Sequence, residues 1–113
     1  MKKILSGFLF ALLLSGCNIK QPKQIEAWKI QNDPYYKHKK SQFQMLSQNT
    51  KYTTVMLGDS ITDEGQWDEL LDNPLVQNRG ISGDTTDGVL ERLDSINKNI
   101  KQVFIMIGVN DIM

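Results

Sequence analysis

Gly58-Asp59-Ser60 follows directly on the apolar run Thr53-Thr54-Val55-Met56-Leu57. A serine just past a buried strand, flanked by a glycine, stands where a hydrolase places a nucleophile. The strand carries the side chain to the edge of a sheet, and the glycine lets the backbone turn there without a Cβ clash. In open α/β sheets, ligands bind at the carboxyl ends of the strands. Gly, Asp and Ser are also common turn residues, so the tripeptide alone fits a plain turn. Two later segments add weight. Asn78-Arg79-Gly80-Ile81-Ser82-Gly83-Asp84-Thr85-Thr86 lies between a short apolar stretch and an amphipathic one, and Gly108-Val109-Asn110-Asp111 ends the apolar run Val103-Phe104-Ile105-Met106-Ile107. A serine, a glycine and an asparagine thus each fall just past an expected strand.

In order and spacing, these segments resemble the first three sequence blocks of the SGNH, or GDSL, hydrolase superfamily. They are most similar to the small acylhydrolases related to the catalytic subunits of platelet-activating-factor acetylhydrolase. Leu57-Gly58-Asp59-Ser60-Ile61-Thr62, the Asn78 to Thr86 segment and Gly88-Val89-Leu90-Glu91-Arg92-Leu93 carry the resemblance, which runs from about Tyr52 to Met113. It implies Ser60 as the nucleophile toward an ester carbonyl. It implies an oxyanion hole made by the backbone N–H of Ser60, the backbone N–H of Gly83 and the side-chain amide of Asn110. Such donors, fixed where negative charge develops, lower the barrier by several kcal/mol. Glycine allows close backbone approach, and the asparagine amide donates without carrying charge. The implied fold is a three-layer α/β/α sandwich on a parallel sheet, flavodoxin-like in class. The implied substrate is an ester: an O-acetylated sugar, a short acyl ester or a lipid. No cofactor is implied.

The family takes its acid and base from an Asp-x-x-His segment near the C-terminus, and residues 1–113 hold none. Their single histidine is His38, upstream of the serine among Tyr35-Tyr36-Lys37-His38-Lys39-Lys40, where it reads as part of a solvated helix face. Asp59 adjoins the nucleophile and should point away from it; Asp111 follows the asparagine, where the family uses an acid to hold loops together. Neither reads as the triad acid. A serine hydroxyl without an adjacent base is a poor nucleophile. The expectation is therefore a sandwich truncated after its third strand, inactive alone, with the acid–base segment encoded downstream or carried by a companion C-terminal chain.

Met1-Lys2-Lys3 is a basic start, Ile4 to Leu14 is almost wholly apolar, and Leu14-Ser15-Gly16-Cys17 closes the stretch. This is a secretory signal in outline, too short to span a bilayer. Its last four residues resemble the lipobox of bacterial lipoproteins. Cys17, the chain's one cysteine, would become the lipidated N-terminus. That also accounts for an unpaired thiol in an oxidising compartment. Several acyl chains together give stable anchoring. The expected division is 1–16 signal peptide, 17–51 tether and helical segment, and 52–113 hydrolase part, in a protein lipid-anchored in the bacterial envelope. Cleavage leaves roughly 100 residues, near the lower end of domain size. From Cys17 to Lys51 seven lysines face two acids; from Tyr52 onward two arginines and two lysines face eleven. The basic part reads as a solvated tether that could also approach anionic head groups. With no basic aromatic patch, nucleic-acid binding is not expected.

The positioning elements follow from pattern. Asn18 to about Lys23 is a tether. Asp33-Pro34 predicts an N-cap and a first-turn proline, opening a helix to about Ser47 with Tyr36, Phe43 and Leu46 on one face. Strands are expected at 52–57, 75–78 and 102–107. A helix turn is expected at 66–71, packed by Trp67, Leu70 and Leu71. An amphipathic helix is expected at 86–96, with Val89, Leu90, Leu93 and Ile96 inward. Alternating strands and helices imply parallel pairing. Asp59, Asp63 and Gly65 lack the remaining ligands of a calcium loop. Asp84 and Asp87 suit a helix N-terminus, and no metal site is read. The reading from a different class is a non-catalytic envelope lipoprotein that binds through the same half-fold.

Overall fold

The computed structural model describes residues 28–113; the leader, Cys17 and the tether at 18–23 lie outside them. After a 3-10 turn at Ile30–Asn32 come α1 (Pro34–Leu46), β1 (Thr54–Gly58), α2 (Ser60–Glu64), α3 (Trp67–Leu70), β2 (Val76–Gly80), α4 (Thr86–Leu90) and β3 (Gln102–Met106). Further 3-10 turns occupy Leu93–Ser95 and Val109–Ile112. The sheet is parallel, in the order β2-β1-β3. The α/β class and parallel pairing expected from the alternation are found.

Sequence chemistry explains the start of α1. The Asp33 carboxylate accepts from the N–H groups of Tyr35 (2.7 Å) and Tyr36 (3.2 Å), and Pro34 supplies the first turn. Two otherwise unpaired helix donors are thereby satisfied. Tyr36 and Phe43 face inward and join Ile30 and Ile81 in one apolar cluster. Leu46, expected on that face, is exposed instead.

Val55 and Leu57 of β1 are buried, and their register partners on β2 are Gln77 and Arg79. The Arg79 guanidinium lies 4.8 Å from the centre of the Phe43 ring, so α1 covers this side. On the opposite side, Asn78 of β2 donates from Nδ2 to the carbonyls of Thr62 (2.7 Å), Asp63 (3.1 Å) and Gly65 (3.1 Å). One side chain thus satisfies the carbonyl end of α2. Trp67 donates from Nε1 to the Thr62 carbonyl at 2.7 Å and is half-buried. Its companions Leu70 and Leu71 are exposed, so α3 is held by Trp67 rather than by an apolar stripe. Helices on both sides of the sheet make three layers.

The expected helix at 86–96 is shorter. It stops at Leu90, and Leu90 and Leu93 are exposed while Arg92 is fully buried. Two contacts end it. The Tyr36 hydroxyl donates to the Gly88 carbonyl at 2.6 Å, the acceptor that a continuing helix would offer to the Arg92 N–H. The Arg92 N–H bonds instead to the Val89 carbonyl, tightening the chain toward a 3-10 turn. A buried charge has therefore overridden an apolar periodicity. β3 is exposed along its whole length, with Val103, Phe104, Ile105 and Met106 between 46% and 63% accessible.

Candidate functional site

Register aligns the three strand ends. Gly58 pairs with Gly80 on one side and with Met106 on the other. Ser60, Gly83 and Asn110 follow these residues closely, so all three leave the sheet at its carboxyl edge.

Ser60 opens α2 and is half-buried. Asp59 caps that helix, its carboxylate accepting weakly from the Ile61 N–H at 3.4 Å. Asp59 is buried and faces this capping task. As the first residue of α2, Ser60 has a backbone N–H with no partner inside the helix.

Gly83 has φ of +80°, in the left-handed region that favours glycine. Ile30 sits beneath it: a Cβ at Gly83 would lie 3.4 Å from Ile30 Cδ1. The segment preceding α1 therefore floors the Gly83 loop. Ser82 fastens the loop from the other side, donating from its N–H (2.9 Å) and its hydroxyl (3.0 Å) to the Asp63 carboxylate.

Asn110 lies in the 3-10 turn after β3, which Gly108 enters with φ of +119°. Its Nδ2 donates to the carbonyl of Asp84 at 2.8 Å, next to Gly83 in the chain. One amide proton of Asn110 is spent on this bond, and the other is left to donate. Asp111 binds the start of α4: its carboxylate accepts from the Thr86 N–H (3.0 and 3.1 Å) and hydroxyl. This is the loop-holding use expected for Asp111. Asn110 also lines an open cleft of about 460 Å³ with Trp28, Gln31, Thr85 and Asp87; Ser60 does not line it. His38 stays exposed on α1, and its imidazole makes no hydrogen bond or ion pair with a described residue.

Two acidic residues do more than their sequence positions suggest. Asp63 accepts from the Tyr35 hydroxyl (2.7 Å), Lys39 Nζ (2.8 Å) and Ser82. It joins α1, α2 and the Gly83 loop. Burial pushes its carboxyl up, but these donors outweigh burial and hold it below the ordinary carboxylate range. The bond to Asp63, more than burial, raises Tyr35 to about 12. Asp84 is not a surface residue in the field of a helix: it is fully buried, 2.7 Å from Arg92. Burial pushes its carboxyl up, while Arg92 and the Thr85 N–H pull the other way. Neither role has a local sequence signal: the donors to Asp63 lie 19 to 28 positions away, and Arg92, eight positions from Asp84, falls in a segment whose apolar pattern points other residues inward. Among the described residues no group of His, Cys, Asp and Glu could hold a metal ion.

Comparisons with known proteins bear on both ends of the chain. The family model for the prokaryotic membrane lipoprotein lipid attachment site matches residues 1–18. No curated protein matches the chain. Among solved structures, a protein of Streptococcus pneumonia provisionally named a platelet activating factor is 28% identical, with a TM-score of 0.63. The match covers 69% of this chain and 39% of that one, so the chain spans well under half of its structural neighbour. The fold is thus shared with that protein. The attachment site makes the chain a lipid-anchored lipoprotein of the prokaryotic cell envelope.

Proposed function

We propose that this chain carries the nucleophile and oxyanion-donor half of a serine ester hydrolase of the SGNH type. The observation that carries the reading is the shared sheet edge of Ser60, Gly83 and Asn110, set by the pairing of Gly58 with Gly80 and Met106. The name of that structural neighbour, a platelet activating factor, supports a hydrolase and no finer class.

In the proposed reaction Ser60 Oγ attacks the ester carbonyl carbon, and the oxygen's charge is received by the N–H groups of Ser60 and Gly83 and by Asn110 Nδ2. Collapse of the tetrahedral intermediate expels the alcohol, and water then releases the acid. His38 lies exposed and has no carboxylate partner among the described residues, so this reading gives the part of general base to another group, in the same chain or in a partner. The substrate is an ester within reach of the envelope membrane: an O-acetylated sugar, a short acyl ester or a lipid.

The test is ester turnover by the protein isolated from envelope membranes, on a panel including p-nitrophenyl acetate. Ser60→Ala should abolish it. Asn110→Ala should lower kcat roughly a hundredfold or more, the scale for one oxyanion donor. Residues 17–113 expressed alone should turn over no faster than their own Ser60→Ala variant. Ser60-dependent turnover by that piece would place the base within these residues, with His38 the first candidate. A folded envelope protein inert across the panel would favour a binding lipoprotein.

A further inference from the structure

The largest fully buried side chain of the described residues is a charged one, Arg92. Its three nitrogens reach three separate places. Nε donates to Asp84 Oδ2 at 2.8 Å, and one terminal nitrogen lies 2.7 Å from the same oxygen. That terminal nitrogen also donates to the carbonyl of Gly58 at 3.1 Å, and the other donates to the carbonyl of Arg79 at 2.8 Å. Gly58 precedes the Asp59-Ser60 turn, and Arg79 precedes the Gly83 loop. Asp84 passes the connection on: its N–H donates to the Ile81 carbonyl at 3.0 Å, and its own carbonyl receives Asn110 Nδ2. The Ile81 N–H donates to the Gly58 carbonyl at 3.1 Å, closing the circuit.

One guanidinium therefore ties together the loops that hold Ser60, Gly83 and Asn110. A buried ion pair is weak evidence for stability, because desolvation offsets much of the attraction. It is better suited to fixing geometry. Only arginine's planar fork can serve three acceptors in fixed directions; a lysine would keep the charge and lose the fork. We propose that Arg92, acting with Asp84, is the positioning residue that sets the oxyanion donors of the site relative to Ser60. The catalytic meaning of this device rests on the hydrolase reading above; its mechanical meaning does not.

The test uses the intact lipoprotein in detergent and two variants, Arg92→Lys and Asp84→Asn. Hydrogen exchange read by mass spectrometry should rise roughly tenfold or more, and together, in the segments 57–60, 81–86 and 108–111 in Arg92→Lys. Exchange in 34–46 should stay at the wild-type rate. Asp84→Asn, which keeps the carbonyl that Asn110 uses, should loosen the same three segments less. In ester turnover, Arg92→Lys should lower kcat about tenfold or more and leave KM close to wild type, as for a loss felt in the transition state. A rise confined to one segment, no rise at all, or a uniform rise that includes 34–46 would overturn the proposal. If the wild type shows no Ser60-dependent turnover, the hydrolase reading fails, and the exchange pattern still decides whether Arg92 couples the three loops.

Discussion

At Asp63, one carboxylate receives four donors from two distant parts of the chain: Tyr35 and Lys39 of α1, and the N–H and hydroxyl of Ser82. These donors favour the charged form and hold the Asp63 carboxyl below its ordinary range against the effect of burial. The sign of the pH dependence follows. A carboxyl depressed in the folded state contributes stability above its unfolded pKa, about 3.9, and loses it as pH falls through the lower folded value. Melting of the detergent-solubilised protein should show Asp63→Asn less stable than wild type near pH 7. The gap should narrow steadily below about pH 4. A gap independent of pH would mean that the Asp63 charge plays no part. Local sequence gave no hint of this hub, since the residues that make it lie 19 to 28 positions away. By contrast, the Asp33 cap was legible because both its acceptor and its donors are within three residues.

Elements were legible where one local rule governed them. β1 and β3 lie within two residues of the expected strands because each is a short apolar run bounded by turn residues; β2, Val-Gln-Asn-Arg-Gly, lies as close with only one apolar side chain. The helix expected at 86–96 ends early because its apolar pattern points Leu90 and Leu93 inward, whereas the fold buries Arg92. The turn at α4 yields a prediction of its own. A Cβ on Gly88 would run into the Asp84 carboxylate, which Arg92 holds in place, and would press on Ile30. Overpacking of this kind costs about 1–3 kcal/mol, whereas alanine gains about 1 kcal/mol over glycine in a helix. Because the obstructing carboxylate is locked, the cost should win. Chemical denaturation should find Gly88→Ala destabilised; a stabilised variant would show that the Asp84–Arg92 pair yields easily. The candidate site was legible as three residue types past three strands. How Ser82, Asp84 and Arg92 fasten its loops was not, because those contacts join different elements.

The lipid anchor and the exposed strand β3 govern how the protein associates. Cys17 lies within the lipid attachment site at 1–18, so the wild type should incorporate labelled fatty acid and sediment with membranes, and Cys17→Ala should do neither. A wild type that is unlabelled and soluble would contradict the anchor. In β3, Val103, Phe104, Ile105 and Met106 are exposed on an open sheet edge. Such an edge invites pairing. Residues 17–113 made with Cys17→Ala should associate in light scattering, and Phe104→Lys should reduce the association. A monodisperse monomer with a sharp melt would show that this edge is harmless. The proposed reactivity of Ser60 can be read in the membrane that anchors the protein. Native envelope membranes are treated with a fluorophosphonate, which phosphonylates a reactive serine with loss of fluoride, and the modified residue is mapped by mass spectrometry. Modification is predicted at Ser60 and sharply slowed by Asn110→Ala; an unmodified Ser60 in membranes where established serine hydrolases are labelled would rule out Ser60 as the nucleophile.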